Sequence, residues 1–283
     1  MILSHKHKFI FFKPIKSAGS SVEALLSQQC GNEDILTGPD FEDSITYLNT
    51  GYREQNNSHI VTLEGQDAIN AMVMSGNSHL LTEDIIDVIK VDIRKPVFDI
   101  HVSPSEVFSK ISGIEDYLKI SIARNPFDMM VSFFWWLCDS SANKDILKFK
   151  ITSNDICPSK NDSASCLQEK FEKFIHKKLE FYEQSELQDT KKILKTVDWL
   201  GSKSFDLFSH NIDFILKFEN IQNDYDSLCD LLCFKRAALP RLKSNARKHS
   251  AHYSEYYNKS SETIVRDKLY FIFEKFNYST SLS

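Results

Sequence analysis

The chain has 283 residues, of which 42% are hydrophobic and 26% are charged, and this composition excludes a disordered or fibrous protein. Its formal net charge of -5 excludes a whole-protein field that attracts nucleic acid or an anionic membrane, so any anion site has to be local. With only 8 glycines and no linker-like segment, the sequence predicts a single domain over residues 1–283.

Apolar runs and cysteines bear on membrane attachment and metal binding. The longest apolar stretch, residues 129–138, is interrupted by Ser132 and is too short to cross a bilayer. A strand-like run begins at Phe9 and leaves no room for a signal peptide, so we expect a cytoplasmic protein. The 6 cysteines form no Cys-x-x-Cys pair and have no histidines at zinc-finger spacing, so we expect no metal.

The first predicted unit is a strand, a tight loop and a helix. Phe9–Phe12 is a short apolar run, and the small residues of 17–21 lead into apolar residues at helical spacing. Residues 32–95 are mixed and polar, with a helix expected at Thr82–Ile89. We interpret residues 32–95 as an insertion.

Two further units repeat this order. A strand is predicted at Leu118–Ala123, and Pro126 suits the first turn of the helix that follows. A third strand, Ile212–Phe218, precedes another helix, and residues 140–205 form a second predicted insertion. Strands that alternate with helices predict an α/β fold in which helices flank a parallel sheet on both faces.

Apolar periodicity predicts two more helices. One, within the second insertion, carries Phe171, Phe174, Ile175 and Leu179. The other extends from Ile264 to Phe276 and closes the sequence as one amphipathic helix.

The segment between the first strand and the first helix has the composition of an anion-binding loop. It reads Lys13-Pro14-Ile15-Lys16-Ser17-Ala18-Gly19-Ser20-Ser21. Small side chains let a phosphate approach the backbone N–H groups at the helix start, and Lys16 adds a positive charge. An ordinary N-capped turn is the alternative. A P-loop NTPase pattern is not met, because the lysine precedes the glycine.

A guanidinium and a hydroxyl follow the second predicted strand. Arg124-Asn125-Pro126 stands at the end of that strand, and Ser132 comes eight positions after Arg124, two turns into the helix. The two side chains can bind one phosphate together. Alternatively, Arg124 caps its helix or pairs with Asp128.

Together, the two segments resemble the sulfotransferase superfamily that uses 3′-phosphoadenosine 5′-phosphosulfate (PAPS). Its members carry a Lys-[Ser/Thr]-x-Gly-[Ser/Thr]-[Ser/Thr] loop near the start and an Arg-x-Pro-x5-Ser motif later, and both are present here in that order. Asn125 departs from the Asp of many relatives. The resemblance implies that Arg124 and Ser132 bind the 3′-phosphate of PAPS. It implies that the 5′-phosphosulfate is bound by Lys16, Ser17, Ala18, Gly19, Ser20 and Ser21.

Other segments look like the branch that includes heparan sulfate 2-O-sulfotransferases and small bacterial relatives. These segments are Phe218-Glu219-Asn220-Ile221, Leu239-Pro240 and Tyr253-Ser254-Glu255-Tyr256-Tyr257. In the 2-O-sulfotransferases, a His-Val-Ser triplet at a similar offset from the arginine motif contains the catalytic base, which implies that role for His101. A lone histidine is otherwise a structural residue. His59 and Glu64 are the reserve candidates, since other sulfotransferases use a glutamate.

A dense basic segment lies near the end of an otherwise acidic chain. A solvated face is one interpretation of such a run. In the family, a loop near this position closes over PAPS, so the resemblance implies that Arg247 and Lys248 bind the cofactor. The segment contains Lys235, Arg236, Arg241, Lys243, Arg247 and Lys248.

The resemblance implies transfer of a sulfuryl group from PAPS to a hydroxyl of a carbohydrate or small-molecule metabolite, with 3′,5′-adenosine bisphosphate (PAP) as product. Lys16 and the helix start would stabilise the leaving phosphate, and His101 would accept the acceptor's proton, without a metal ion. A nucleotide-dependent small-molecule kinase and a non-catalytic nucleotide-binding protein of the same fold are the alternatives. The resemblance does not cover residues 32–95 and 140–205, and we expect these two insertions to recognise the acceptor. No nucleic-acid or membrane partner is expected; the acceptor and the oligomeric state stay open.

Overall fold

The computed structural model describes residues 1–37, 98, 100–138, 156–158, 162–180, 206–242, 247 and 251–282. The helix predicted at Thr82–Ile89 and most of both predicted insertions lie outside these residues. The single-domain organisation therefore stays a prediction.

The described strands form one mixed sheet. They are β1 (Ile2–Ser4), β2 (Phe9–Phe11), β3 (Ile35–Leu36), β4 (Leu118–Ala123) and β5 (Phe214–Lys217), in the spatial order β3-β1-β2-β4-β5. Strands β2, β4 and β5 are parallel, as predicted, whereas β1 pairs antiparallel with β2 and β3. The α/β class is thus confirmed. Strands β1 and β3 gave no sequence signal, because 3 and 2 residues are too few for an alternation pattern.

Helices lie on both faces of this sheet. The long helices predicted after β4, after β5 and around Phe171 are confirmed. The single helix predicted from Ile264 to Phe276 is wrong, because the buried Leu269 adopts φ -110° and ψ 18° and divides it in two. The helices are α1 (Gly19–Ser27), α2 (Pro104–Lys110), α3 (Pro126–Leu137), α4 (Ala164–Glu180), α5 (Ile221–Leu232), α6 (Lys259–Lys268) and α7 (Tyr270–Phe276); 3-10 turns span Phe218–Asn220 and Tyr253–Tyr256.

Strand β2 shows how the core is divided between the two faces. Phe9 and Phe11 join the cluster that contains the apolar residues of α1 and α5. Ile10 and Phe12 join the cluster built on α2, α3, α4, α6 and α7. All four side chains are inaccessible, and burial of each contributes about 1.5–3 kcal/mol. The sheet is therefore the central layer between two layers of helices.

The carboxyl ends of the parallel strands meet at one edge of the sheet. Strand β2 leads into the loop before α1, β4 leads into Arg124, and β5 leads into the turn Phe218–Asn220. In the register, Phe11 pairs with Ile120 and Ala123 pairs with Lys217. Open α/β sheets bind ligands outside the carboxyl ends of their strands, so this edge is the expected position of a site.

Candidate active site

The loop before α1 contains two residues with left-handed backbone conformation. Lys16 has φ 56° and Ala18 has φ 63°, and Ala18 directly precedes the helix. Each such residue costs about 1–3 kcal/mol, so the surrounding structure imposes the conformation. When left-handed and right-handed residues alternate, successive backbone N–H groups point into a concavity that can bind an anion. The first N–H groups of α1 add further donors. The loop therefore lies between a strand and a helix, as predicted, and anion binding by it stays a prediction.

Gly19 is required because Lys13 packs against it. A Cβ atom at Gly19 would lie 2.6 Å from Lys13 Cγ. Lys13 Nζ donates to Glu23 Oε2 at 2.7 Å, and the two side chains are 4% and 0% exposed. Burial alone would raise the pKa of Glu23, but Lys13 and the amino group of Met1, 3.1 Å from Oε1, lower it. We call Glu23, Lys13 and the Met1 amino group the Glu23 cluster; it supports the loop from inside the protein.

The side chains of Lys16, Ser17 and Ser21 in the loop have different contacts. The Lys16 ammonium lies 5.2 Å from the ring centre of Trp136, a cation–π arrangement. Ser17 Oγ donates to the Pro14 carbonyl at 3.1 Å, so this hydroxyl closes the loop itself. Ser21 Oγ accepts a hydrogen bond from Leu242 N at 3.4 Å, which joins the start of α1 to the basic segment.

Arg124 contacts residues at all three strand ends. Its Nη1 donates to the Lys16 carbonyl at 2.6 Å, and its Nε and Nη2 donate to Asp128 Oδ2 at 2.9 and 2.7 Å. The guanidinium carbon lies 3.8 Å from the ring centre of Phe218. Burial lowers the pKa of Arg124, and Asp128 and Glu219 oppose that effect. The pairing with Asp128 considered for this arginine is therefore present, together with its link to the loop.

Asp128 binds a second arginine with its other oxygen. Oδ1 accepts from Arg247 Nη1 at 3.1 Å, while Arg247 Nη2 donates to the Ala251 carbonyl. The Arg247 guanidinium carbon lies 5.5 Å from the ring centre of Tyr256. Its buried Nε has no hydrogen-bond partner within the part of the chain that the structure describes. We call Arg124, Asp128 and Arg247 the Asp128 cluster.

Residues near the end of β5 hold the turn that presents Arg124. Asn125 N donates to Glu219 Oε1 at 2.7 Å, and the Tyr278 hydroxyl donates to Glu219 Oε2 at 2.9 Å. Asn125 Oδ1 accepts from Phe127 N at 2.9 Å and caps α3. Asn and Asp are equally good N-caps, so the departure from the Asp of many relatives preserves this contact.

His101 lies in the turn before α2 and contacts the loop backbone. Its Nδ1 is 2.8 Å from the Lys13 carbonyl oxygen. Because a carbonyl only accepts hydrogen bonds, Nδ1 carries the proton and Nε2 of the neutral ring is the acceptor. Ser103, from the same triplet, caps α2 by accepting from Glu106 N at 3.3 Å. The ring is therefore fixed beside the loop in the tautomer that a proton acceptor needs.

The structure connects most of the predicted site residues. Arg124 contacts the loop directly, Arg247 reaches it through Asp128, and His101 reaches it through Lys13. Ser132 lies partly exposed on α3. Lys248, His59 and Glu64 lie outside the described residues.

Sequence reasoning assigned no role to some residues that shape the site. Glu219 stood within a segment that resembled relatives, but no sequence pattern indicated its two hydrogen bonds. The pairing of Asp128 with Arg124 was indicated by sequence, because an acid four positions after an arginine lies on the same helical face. Glu23 had none, because a single acid in an apolar helix does not indicate its partner.

No group of three or more His, Cys, Asp or Glu side chains among the described residues is placed to hold a metal ion. The described helices include none with the length and apolarity needed to cross a bilayer. The expectation of a metal-independent reaction stays a prediction.

The fold and the site define a class: an α/β protein with a cationic, loop-based site at the carboxyl edge of its parallel strands. The family model described as "Sulfotransferase family" matches residues 1–279, and the chain belongs to that family. Sulfuryl transfer is therefore its general reaction. No curated protein and no solved structure matches the chain significantly.

Proposed function

We propose that this sulfotransferase takes its sulfuryl group from PAPS and transfers it to a hydroxyl of a carbohydrate or small-molecule metabolite, releasing PAP. The observation that carries the proposal is the 2.6 Å hydrogen bond from Arg124 Nη1 to the Lys16 carbonyl. This bond joins the loop and the arginine motif in one site. A donor with a phosphosulfate at one end and a 3′-phosphate at the other needs two neighbouring cationic positions.

The loop suits the 5′-phosphosulfate end. The left-handed residues Lys16 and Ala18 and the start of α1 offer backbone N–H groups to this end of the donor. In the proposal, Ser17, Ser20 and Ser21 contribute to this site through the backbone, and the Lys16 ammonium neutralises the anion.

The Asp128 cluster suits the 3′-phosphate end. Arg124 and Ser132 are the proposed ligands on one side, and Arg247, with Lys248 beside it in sequence, is the proposed ligand on the other. The Arg247 side chain is 28% exposed, so it is accessible from solvent. Guanidinium groups bind phosphate oxygens through paired, charge-assisted hydrogen bonds.

Catalysis then depends on charge stabilisation and one proton transfer. The donor supplies an activated sulfuryl group, whose bond to the phosphate oxygen breaks as a bond to the acceptor oxygen forms. Lys16 and the N-terminus of α1 stabilise the charge that develops on the leaving phosphate. His101 Nε2 accepts the proton of the acceptor hydroxyl, while Nδ1 keeps its hydrogen bond to Lys13.

The direct test is sulfate transfer from labelled PAPS to a panel of carbohydrates and small metabolites, read by mass spectrometry. We expect Lys16→Ala to lower kcat by about 10²–10³-fold, comparable to the loss of one preorganised donor. Lys173→Ala, at an exposed lysine on α4, is the control and should retain activity. An unchanged kcat for purified Lys16→Ala would exclude its proposed role.

Binding measurements separate the alternatives. We expect calorimetry in EDTA to detect tight binding of PAP and no binding of ATP. Magnesium-dependent binding of ATP would favour a kinase. Tight PAP binding without turnover of any acceptor would favour a non-catalytic protein of this fold.

A further inference from the structure

Asp128 has a position that the proposed reaction does not explain. It lies in the first turn of α3 and is 8% exposed, and each of its carboxylate oxygens binds a different arginine. A carboxylate in the first turn of a helix is favourable by itself, because it complements the helix dipole. The dipole does not account for the two arginines that reach it.

These arginines come from separate parts of the chain. Arg124 directly follows β4, whereas Arg247 belongs to the basic segment, 119 positions after Asp128. Two guanidinium groups repel each other, so a shared carboxylate is what allows them to lie side by side. Within the described residues, three of the five N–H donors of Arg124 bond to Lys16 and Asp128, and the other two are available to a ligand.

We propose that Asp128 is a positioning residue for the donor: it orients Arg124 and Arg247 so that both guanidinium groups bind the same phosphate. This inference rests on the proposed function, which identifies that phosphate as the 3′-phosphate of PAPS. Asp128 itself does not touch the donor.

Whether Asp128→Asn strengthens or weakens phosphate binding distinguishes the effect of charge from the effect of arginine orientation. Asn at position 128 removes a negative charge from the site, which by Coulomb attraction alone would strengthen phosphate binding. Asn also has one accepting oxygen, and its amide donors face the second arginine, so only one guanidinium stays fixed. If Asp128 positions the arginines, the loss of orientation outweighs the gain in charge, and phosphate binding weakens.

The experiment compares two ligands on one protein. PAP and adenosine 5′-monophosphate differ by the 3′-phosphate, so the ratio of their dissociation constants measures recognition of that group. We expect Asp128→Asn to lower this preference for PAP by about tenfold or more, the size of one lost charge-assisted contact. Both ligands are titrated into the same preparation, so unfolded protein changes the stoichiometry and leaves the ratio unaltered.

A matched control removes a similar pair elsewhere. Asp230 accepts two hydrogen bonds from Arg236 at the exposed end of α5, so Asp230→Asn breaks an equivalent pair away from the site. We expect its preference for PAP to equal that of the wild type. An equal loss in both variants would contradict the inference.

Other outcomes are equally decisive. A preference that stays the same or rises in Asp128→Asn would overturn the positioning role. If Asp128→Asn does not fold, Asp128→Glu, which keeps the charge and shifts the carboxylate by one methylene, should also lower the preference, and a wild-type value would overturn the role. A wild-type protein without preference for PAP would instead contradict the proposed function.

Discussion

The Glu23 cluster and the Asp128 cluster each consist of one carboxylate between two cationic groups, but they differ in exposure to solvent. In the Glu23 cluster, one carboxylate binds Lys13 and the Met1 amino group, and neither the carboxylate nor its partners are open to solvent. In the Asp128 cluster, one carboxylate binds Arg124 and Arg247, and Arg247 is partly exposed. The first cluster lies behind the loop and the second lies at the edge of the sheet.

From this difference in exposure, we expect the Glu23 cluster to serve folding and the Asp128 cluster to serve a ligand. A fully buried ion pair has no access for an external anion, so its loss leaves an uncompensated charge inside the protein. Arg247, which is partly exposed, can exchange part of its hydrogen bonding with a phosphate. We therefore expect changes behind the loop to lower stability and changes at the edge to lower activity or affinity.

The largest expected effect is a loss of activity caused by a change in the candidate site. His101→Ala should lower kcat by about 10²–10⁴-fold, because a positioned general base is lost. PAP affinity and the melting temperature should stay near wild-type values. His176→Ala, on α4, is the control. An active His101→Ala enzyme together with an inactive Glu64→Gln enzyme would transfer the role of base to Glu64.

On the structural side, Glu23→Gln should lower the free energy of unfolding by about 3–5 kcal/mol, because it leaves Lys13 buried without its carboxylate. Urea denaturation measures this. Glu169→Gln breaks an exposed pair with Lys173 and should change stability little. Wild-type stability of Glu23→Gln would remove the distinction between the two clusters.

Gly19→Ala tests the contact between the Glu23 cluster and the loop. The new Cβ would lie 2.6 Å from Lys13 Cγ, so the Lys13 side chain has to move, at a cost of about 1–3 kcal/mol. Thermal unfolding measures the loss, which should come with reduced PAP affinity. Gly31→Ala is the matched control, because its Cβ would meet Lys6 at an ordinary 3.5 Å. Equal melting temperatures for the two variants would contradict the packing argument.

The smallest expected effect concerns Asp34, whose carboxylate accepts hydrogen bonds from the Ser4 hydroxyl and from backbone N–H groups, and this contrasts with the ion pairs of the two clusters. Burial raises the pKa of Asp34, but hydrogen bonds from Gly31, Lys6, Ser4 and His5 lower it below 3.8 overall. A carboxylate with a lowered pKa in the folded state stabilises above its unfolded pKa, and this contribution is lost as the pH falls through the folded pKa. The stability difference between wild type and Asp34→Asn should therefore shrink below about pH 4. A difference independent of pH would exclude this contribution.

The sequence predicted the parts of the fold that have long, regular patterns. Strand β4 and the helix that begins at Pro126 have the predicted positions, because six and twelve residues give clear periodicity. The break at Leu269 was not predictable, since apolar spacing continues across it. It depends on how Leu269 packs in the core, which the local sequence does not specify.

Prediction of the candidate site had a similar limit. The loop and Arg124 are recognisable because their chemistry is carried by adjacent residues. For Arg124, a pairing with Asp128 and phosphate binding were treated as alternatives. The structure contains the pairing together with a hydrogen bond from Arg124 to the loop, and phosphate binding stays a prediction. The contact of Asp128 with Arg247 was not predictable, because it depends on the path of a chain segment more than a hundred residues away.

The separation of these contacts along the chain has a consequence for synthesis on the ribosome. Arg124 bonds to a residue 108 positions before it, Asn125 to one 94 positions after it, and Asp128 to one 119 positions after it. Contacts this distant form after local structure, and domains fold as their segments emerge. A nascent chain that already displays the loop still lacks Arg247. The growing polypeptide therefore completes the pair of Arg124 and Arg247, which we propose binds phosphate, only after residue 247 has left the exit tunnel.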